Sequence, residues 1–243
     1  MSTRVLTSEQ LRSYEEDGFH VVEDLITRQD CTALIDHFMD VQLERKRVPW
    51  HTPRDPDSPP REYWRRYFNT HRRDELSMRY MKLPQARDVL ADLIDAEPVG
   101  IQSMFFFKAP DTPGQSAHQD TNYIGSDPES LTACWIALDD ANEDNGTMWV
   151  VPGSNRGPLH ERGETHDTEE YEDWTDELDG ADAMEDVPVV VPAGAGVFFH
   201  GRLIHRSTRN RTEDRFRRVY VCHYVAKGAA VNRPDLQEQV SLI

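Results

Sequence analysis

"GIQSMFFFKAP", Gly100 to Pro110, decides the fold. Its apolar and aromatic run, closed by a proline, reads as a strand. The same grammar recurs downstream. "LTACWIALDDA" (Leu131 to Ala141) is a second strand. "TMWVVPGS" (Thr147 to Ser154) is a third, entered through the turn "EDNG". "VPVVVPAGAGVFFHG" (Val187 to Gly201) reads as two strands around a Gly-rich turn, and "RRVYVCHYVA" (Arg217 to Ala226) is the last. Short strands parted by Gly, Pro, Asn and Asp predict a β-sandwich or barrel, not a parallel α/β sheet.

The first part of the chain is helical. In "LTSEQLRSYEEDGFHVVEDLIT" (Leu6 to Thr27), Thr7 or Ser8 can cap a helix that Gly18 ends, and "FHVVEDLI" then reads as a short strand. Leu34, Ile35, Phe38, Met39 and Leu43 recur at helical spacing between about Arg28 and Lys46, and Ala86 to Ile94 reads as another helix. The Pro-rich "VPWHTPRDPDSPPREYW" (Val48 to Trp64) predicts a loop. Between Gly157 and Val187 lies an acidic insert, with "ETHDTEEYEDWTDELDGADAMED" (Glu164 to Asp186) too polar for a core, and it predicts a mobile flap or a solvated helix. No linker divides the chain. We expect one domain over residues 1–243, with a helical part about 1–97 and a β core about 98–228.

The formal net charge of −17 repels phosphates and anionic membranes, so neither nucleic acid nor membrane is an expected partner. The lysines are Lys46, Lys82, Lys108 and Lys227, which leaves the positive charge mostly to arginine. A high-salt setting and a GC-rich genome both fit that balance. Cys31, Cys134 and Cys222 are odd in number and widely spaced, which argues against a disulfide framework and a Cys-type zinc site. No apolar run reaches membrane-spanning length and the N-terminus has no signal-peptide pattern, so the expected setting is a reducing cytoplasm. The sequence sets no oligomeric state.

One short motif carries chemistry. In "SAHQDTNYIG" (Ser116 to Gly125), His118 and Asp120 stand two apart, which on a strand points both to one face. Two imidazoles and a carboxylate on one side of a metal leave positions open for other ligands. The pair by itself equally fits a polar turn between strands, so a third ligand must come from elsewhere. His200 and His205 follow in a β segment near an arginine cluster, while His160 and His166 border the acidic insert.

Taken together, "SMFFFKAPDTPGQSAHQDTNYIG", "ACWIALDDANEDNGTMWVVPGSNRG", "FFHGRLIHRSTRNRTEDRFRRVYVCHY" and the opening "LTSEQLRSYEEDGFHVVEDLI" resemble the phytanoyl-CoA dioxygenase family, from about Leu6 to Val225. The resemblance implies a mainly β fold with flanking helices, a double-stranded β-helix of the jelly-roll, cupin-like kind. It implies an Fe(II)- and 2-oxoglutarate-dependent oxygenase that consumes O₂ and oxidises a small molecule, with succinate and CO₂ released. His118, Asp120 and His205 would hold the iron. Arg217 would anchor the far carboxylate of 2-oxoglutarate, with Arg218 and Arg215 as neighbouring alternatives and Ser207 giving a hydroxyl to the same carboxylate. Trp135 and Gln102 match positions lining the co-substrate pocket. His200 would support the ligand strand and His223 would be core or cavity wall.

Asn122, Tyr123 and Arg202 are the expected substrate contacts, and Trp50, Tyr63, Trp64 and Tyr67 supply loop aromatics that could grip a ligand or pack the loop. Halogenating relatives replace the acid with a small residue. The intact Asp120 therefore implies hydroxylation or another hydrogen-abstraction outcome, desaturation or ring formation. The contrasting reading is a β-helix domain that binds a small ligand without catalysis, or through another metal.

Overall fold

Thr7 begins the first helix by accepting from the Gln10 N–H while Gln10 reaches back to the Thr7 N–H, a reciprocal cap. The computed structural model describes residues 4–52, 64, 66–172, 176–180 and 183–243. Helix α1 (Ser8–Asp17) ends at Gly18, whose φ of +85° suits a residue without a Cβ. Strand β1 (Phe19–Val22) follows, then α2 (Arg28–Gln42), capped in the same way by Thr27 and Asp30. Strand β2 (Tyr67–Phe68), α3 (Glu75–Met81) and α4 (Pro84–Ile94) complete the first part.

The rest is β-rich. In order come β3 (Pro98–Phe106), β4 (Gln115–His118), β5 (Ser126–Asp127), β6 (Thr132–Ala137) and β7 (Met148–Val150). Then come β8 (Arg162–Glu164), β9 (Asp176–Leu178), β10 (Val187–Pro188), β11 (Gly196–His200) and β12 (His205–Ser207). The chain ends with β13 (Val219–Ala226), β14 (Ala230–Val231) and β15 (Val240–Ser241).

Two antiparallel sheets face each other as a jelly roll. The larger runs β1-β11-β6-β13-β3-β15, with β2 also on β3. The smaller runs β10-β7-β12-β4. β1 and β15 lie outside 98–228, so the β structure draws on both chain ends.

Alternation along the central strands builds two cores from one sheet. Cys134, Ile136, Tyr220 and Cys222 belong to a cluster with the helices, while Ala133, Trp135, Val219 and Val221 join Met148 and Val150 of the smaller sheet. Phe38 of α2 is fully buried, its ring centroid 4.2 Å from that of Phe105. Its truncation to alanine would cost about 3–5 kcal/mol. This packing makes the larger sheet a rigid back wall for the space between the sheets.

Three readings change in the structure. β4 stops at His118, and Asp120 opens a 3-10 turn (Asp120–Asn122), so the two residues do not share a strand. The described part of the acidic insert is neither helix nor loose flap. It forms a β8–β9 hairpin, buries Leu178 against Ala117 and Ile204, and pairs Tyr171 with Gly114. The short α3 has no counterpart in the sequence reading. Among the described residues no helix is long and apolar enough to cross a membrane.

Candidate active site

β4 and β12 lie side by side in the smaller sheet, and their register sets His118 directly opposite His205. The imidazole centroids are 4.1 Å apart. Backbone carbonyls fix both tautomers. His118 Nδ1–H donates to Ser116 O at 2.8 Å and His205 Nδ1–H to Leu203 O at 2.9 Å. Each Nε2 thereby carries the lone pair on the side of Asp120, where His118 Nε2 also accepts from the Gln115 side-chain amide at 3.1 Å. Asp120 Oδ1 lies 3.6 Å from His118 Nε2 and 3.8 Å from His205 Nε2.

Asp120 reaches this point because its turn is tied down. Thr121 N–H donates to Gly201 O at 2.9 Å. Its second oxygen accepts from His223 Nε2 at 2.9 Å, since an ionised carboxylate can only accept. His223, expected as core or cavity wall, therefore holds one carboxylate oxygen and leaves the other for a ligand. Burial alone would raise the Asp120 carboxyl, but His205, His223 and His118 hold it well below the usual range. Burial, with the neighbouring His118, pushes His205 down to about 4, so it is a neutral imidazole at pH 7. Two imidazole nitrogens and one ionised oxygen lie within 4.8 Å of one another. That donor set fits a divalent iron with open positions.

The group opens into a cavity of about 330 Å³, within the usual range of small-molecule sites at about 300–1,000 Å³. Gln102, Trp135, Ser207 and Arg217, the residues that the resemblance assigns to the co-substrate, all line it. Arg217 is 5 % exposed, donates from Nε to Gly146 O at 3.1 Å and stands 5.6 Å from the centroid of Trp135. Burial lowers it to about 10. Arg218 faces away, in a two-point ion pair with Asp139 at 2.8 and 2.6 Å. Arg215 pairs with Asp144. Of the three arginines, only Arg217 offers its charge to the cavity.

The expected substrate contacts divide. Tyr123 lines the cavity, beneath the Arg162 guanidinium. Asn122 instead donates to His160 O, and Arg202 is clamped by Glu129 at 2.5 and 2.7 Å, so neither reaches the cavity. His200 accepts from the Arg202 N–H and supports the turn before β12. Trp64 lines the cavity, whereas Trp50 and Tyr67 pack on Phe38, and Tyr63 lies outside the described residues.

Lys108, Phe68, Met104, Phe106, Ile124 and the Arg66–Glu172 ion pair also line the cavity and were not singled out from sequence. Alternation on β3 was a usable signal for Met104 and Phe106, since Gln102 shares their face.

A jelly roll that presents this ligand group between its sheets defines a class, the 2-oxoglutarate-dependent dioxygenases. The family model of phytanoyl-CoA dioxygenase (PhyH) matches residues 14–219, and the chain belongs to that family. Peroxisomal phytanoyl-CoA dioxygenase of Rattus norvegicus is 28% identical over 241 residues, covering 92% of this chain and 70% of that protein. Among solved structures, EctD from S. alaskensis with bound Fe superposes with a TM-score of 0.75 at 18% identity, over 97% of this chain and 82% of that one. The alpha ketoglutarate dependent carbocyclase SnoK from nogalamycin biosynthesis gives a TM-score of 0.71 at 22% identity, over 93% and 86%. At these identities the structural likeness speaks to the fold.

Proposed function

We propose that this protein hydroxylates an unactivated C–H bond of a small molecule, using Fe(II), O₂ and 2-oxoglutarate and releasing succinate and CO₂. One observation carries the reading. The His118, Asp120 and His205 group and the buried Arg217 guanidinium open into the same cavity, whose remaining walls are largely apolar. His118 and His205 would hold the iron through Nε2 and Asp120 through its free carboxylate oxygen. Bound there, iron(II) supplies the activation of dioxygen that couples oxidative decarboxylation of 2-oxoglutarate to oxidation of a substrate C–H bond.

The residues do the positioning. Arg217 and Ser207 take the far carboxylate of the co-substrate, and a planar two-donor guanidinium suits a carboxylate in a dry pocket. Trp135 walls the guanidinium, and Gln102 lines the co-substrate end. Phe68, Met104, Phe106, Tyr123 and Ile124 form the apolar side on which the substrate lies and from which water is excluded.

The carboxylate of Asp120 would fill a place that a small residue would leave open to an added anion, which favours hydroxylation over halogenation. EctD is solved with 5-hydroxyectoine and the epimerase SnoN with nogalamycin RO, which supports a small-molecule substrate here. The free, buried Cys31, Cys134 and Cys222 agree with a reducing compartment, the cytoplasm in our reading. We read the chain as one catalytic domain.

The test is stoichiometric. Purified protein with Fe(II), O₂ and 2-oxoglutarate should form succinate slowly alone and faster with a substrate drawn from a library of apolar small molecules. The accepted substrate should gain one oxygen per succinate. A product lacking two hydrogens, with no added oxygen, would replace hydroxylation by desaturation or ring closure. No succinate from folded, iron-loaded protein would overturn the reading.

A further inference from the structure

We propose that Lys108 is a positioning residue that completes a three-donor cradle with Ser207 and Arg217 and sets the Ser207 hydroxyl as a donor to the distal carboxylate of 2-oxoglutarate. The inference rests on the oxygenase reading above.

Lys108 follows β3, is 8 % exposed and lines the cavity. Its Nζ donates to Ser207 Oγ at 2.9 Å and to Thr208 O at 2.5 Å. An ammonium has three hydrogens, so one remains. Among the described residues it has no acceptor. Ser207 Oγ also accepts from the Gln115 N–H at 3.0 Å. A hydroxyl oxygen has two acceptor sites, and both are now used. The hydroxyl hydrogen must therefore leave in the one remaining direction, and no protein acceptor meets it among the described residues. Arg217 adds its two terminal nitrogens, which likewise lack an acceptor among the described residues, because only Nε is bonded, to Gly146 O.

The three groups converge by construction. Ser207 stands two residues after His205 on β12. Two residues of strand span about 6.6 Å and return to the same face. That separation matches the reach of a five-carbon dicarboxylate whose other end is at the ligand group. Two buried cations with no bonded carboxylate among the described residues are costly unless an anion joins them. Burial and the Arg217 charge push the Lys108 amine well below its usual value, as expected where a further negative charge would be welcome.

A pair of chelators separates this role from a general one. Pyridine-2,4-dicarboxylate carries a metal-chelating end and a distal carboxylate, whereas pyridine-2-carboxylate has the chelating end alone. Their dissociation constants are measured by calorimetry on the anaerobic Fe(II)-loaded protein. Lys108→Met should weaken the dicarboxylate roughly tenfold to a hundredfold, the range of a lost charged hydrogen bond, and leave pyridine-2-carboxylate unchanged. Lys108→Arg should recover part of the loss. Ser207→Ala should cost less in the Lys108→Met background than alone, because the hydroxyl is no longer oriented. Lys108→Gln serves if the methionine variant does not fold, with the same expectation. Unchanged dicarboxylate affinity, or equal loss of both chelators, would overturn the proposal. Wild-type protein that binds Fe(II) but neither chelator would instead overturn the oxygenase reading itself, and this inference with it.

Discussion

Replacing His223 with alanine should weaken metal binding without touching a ligand. His223 donates from Nε2 to Asp120 Oδ2 at 2.9 Å, with side-chain exposures of 3% and 13%. In His223→Ala that oxygen loses its donor, and the carboxylate is free to rotate away from the two imidazoles. Hydrogen-bond partners of metal ligands typically contribute tenfold to a hundredfold in metal affinity, about 1.4–2.7 kcal/mol. A second effect has the same sign. His223 is among the groups that hold the Asp120 carboxyl low. Its loss lets protons compete with the metal at higher pH, so the acid limb of metal binding should move upward. The assay is a Co(II) titration followed by the visible d–d bands, at several pH values, with unfolding temperature as a control. His223→Gln, which keeps an N–H on a side chain of similar reach, should recover part of the affinity. A well-folded His223→Ala with wild-type Co(II) affinity would refute the claim that His223 orients Asp120.

Arg217→Ala should raise the 2-oxoglutarate requirement about a hundredfold, the scale of a removed buried charge partner at 2–5 kcal/mol. Arg218→Ala, which removes the ion pair with Asp139 and the guanidinium over the Phe216 ring, should leave that requirement unchanged and lower stability by about 1 kcal/mol, read by urea unfolding. Gly114→Ala should disrupt the site through the backbone of the cavity wall, because an added Cβ would lie 1.8 Å from Ser207 O, so both thermal stability and 2-oxoglutarate binding should fall. Asp74 caps α3 by accepting from the Ser77 N–H at 2.9 Å and pairs with His37 at 2.8 Å. Although burial alone would raise it, these bonds depress its carboxyl. A depressed carboxyl contributes stability above its unfolded value, near about 3.9, that is lost as pH falls through the folded one. Asp74→Ala should therefore cost roughly 1–2 kcal/mol at neutral pH, and melting curves of variant and wild type should converge in acid.

The larger sheet was legible in sequence because its strands are long apolar runs between turn residues, as in β3, β11 and β13. Several of the shorter strands were not. β5, β14 and β15 each contain two residues, too few to carry a period. α3 escaped because its start depends on Asp74 as a cap, a signal weakened by the run of charges before it. The acidic insert misled for a different reason. Its polarity argued for a solvated element, but Glu170 and Glu172 are spent on Arg211 and Arg66, and among the described residues Leu178 anchors the hairpin in an apolar cluster.

At the site, the proposed ligand set follows from the family resemblance, and the structure adds how His118, Asp120 and His205 meet. The His118–His205 pairing is a register across two strands far apart in sequence, and no local pattern encodes it. The roles of His223 and Lys108 were hidden for the same reason, since each acts through a residue about a hundred positions away. Asn122 and Arg202 misled by proximity to the ligands. One faces a backbone carbonyl and the other a surface acid.

The most direct measurement of the central claim is anaerobic. Fe(II) and 2-oxoglutarate are added to the metal-free protein, and the visible charge-transfer band of the chelate is recorded, with His205→Ala and Arg217→Ala alongside. The account predicts a band in the wild type, its loss in His205→Ala, and its recovery in Arg217→Ala only at much higher 2-oxoglutarate. A folded wild-type protein that binds Fe(II) and gives no band at any co-substrate concentration would contradict it.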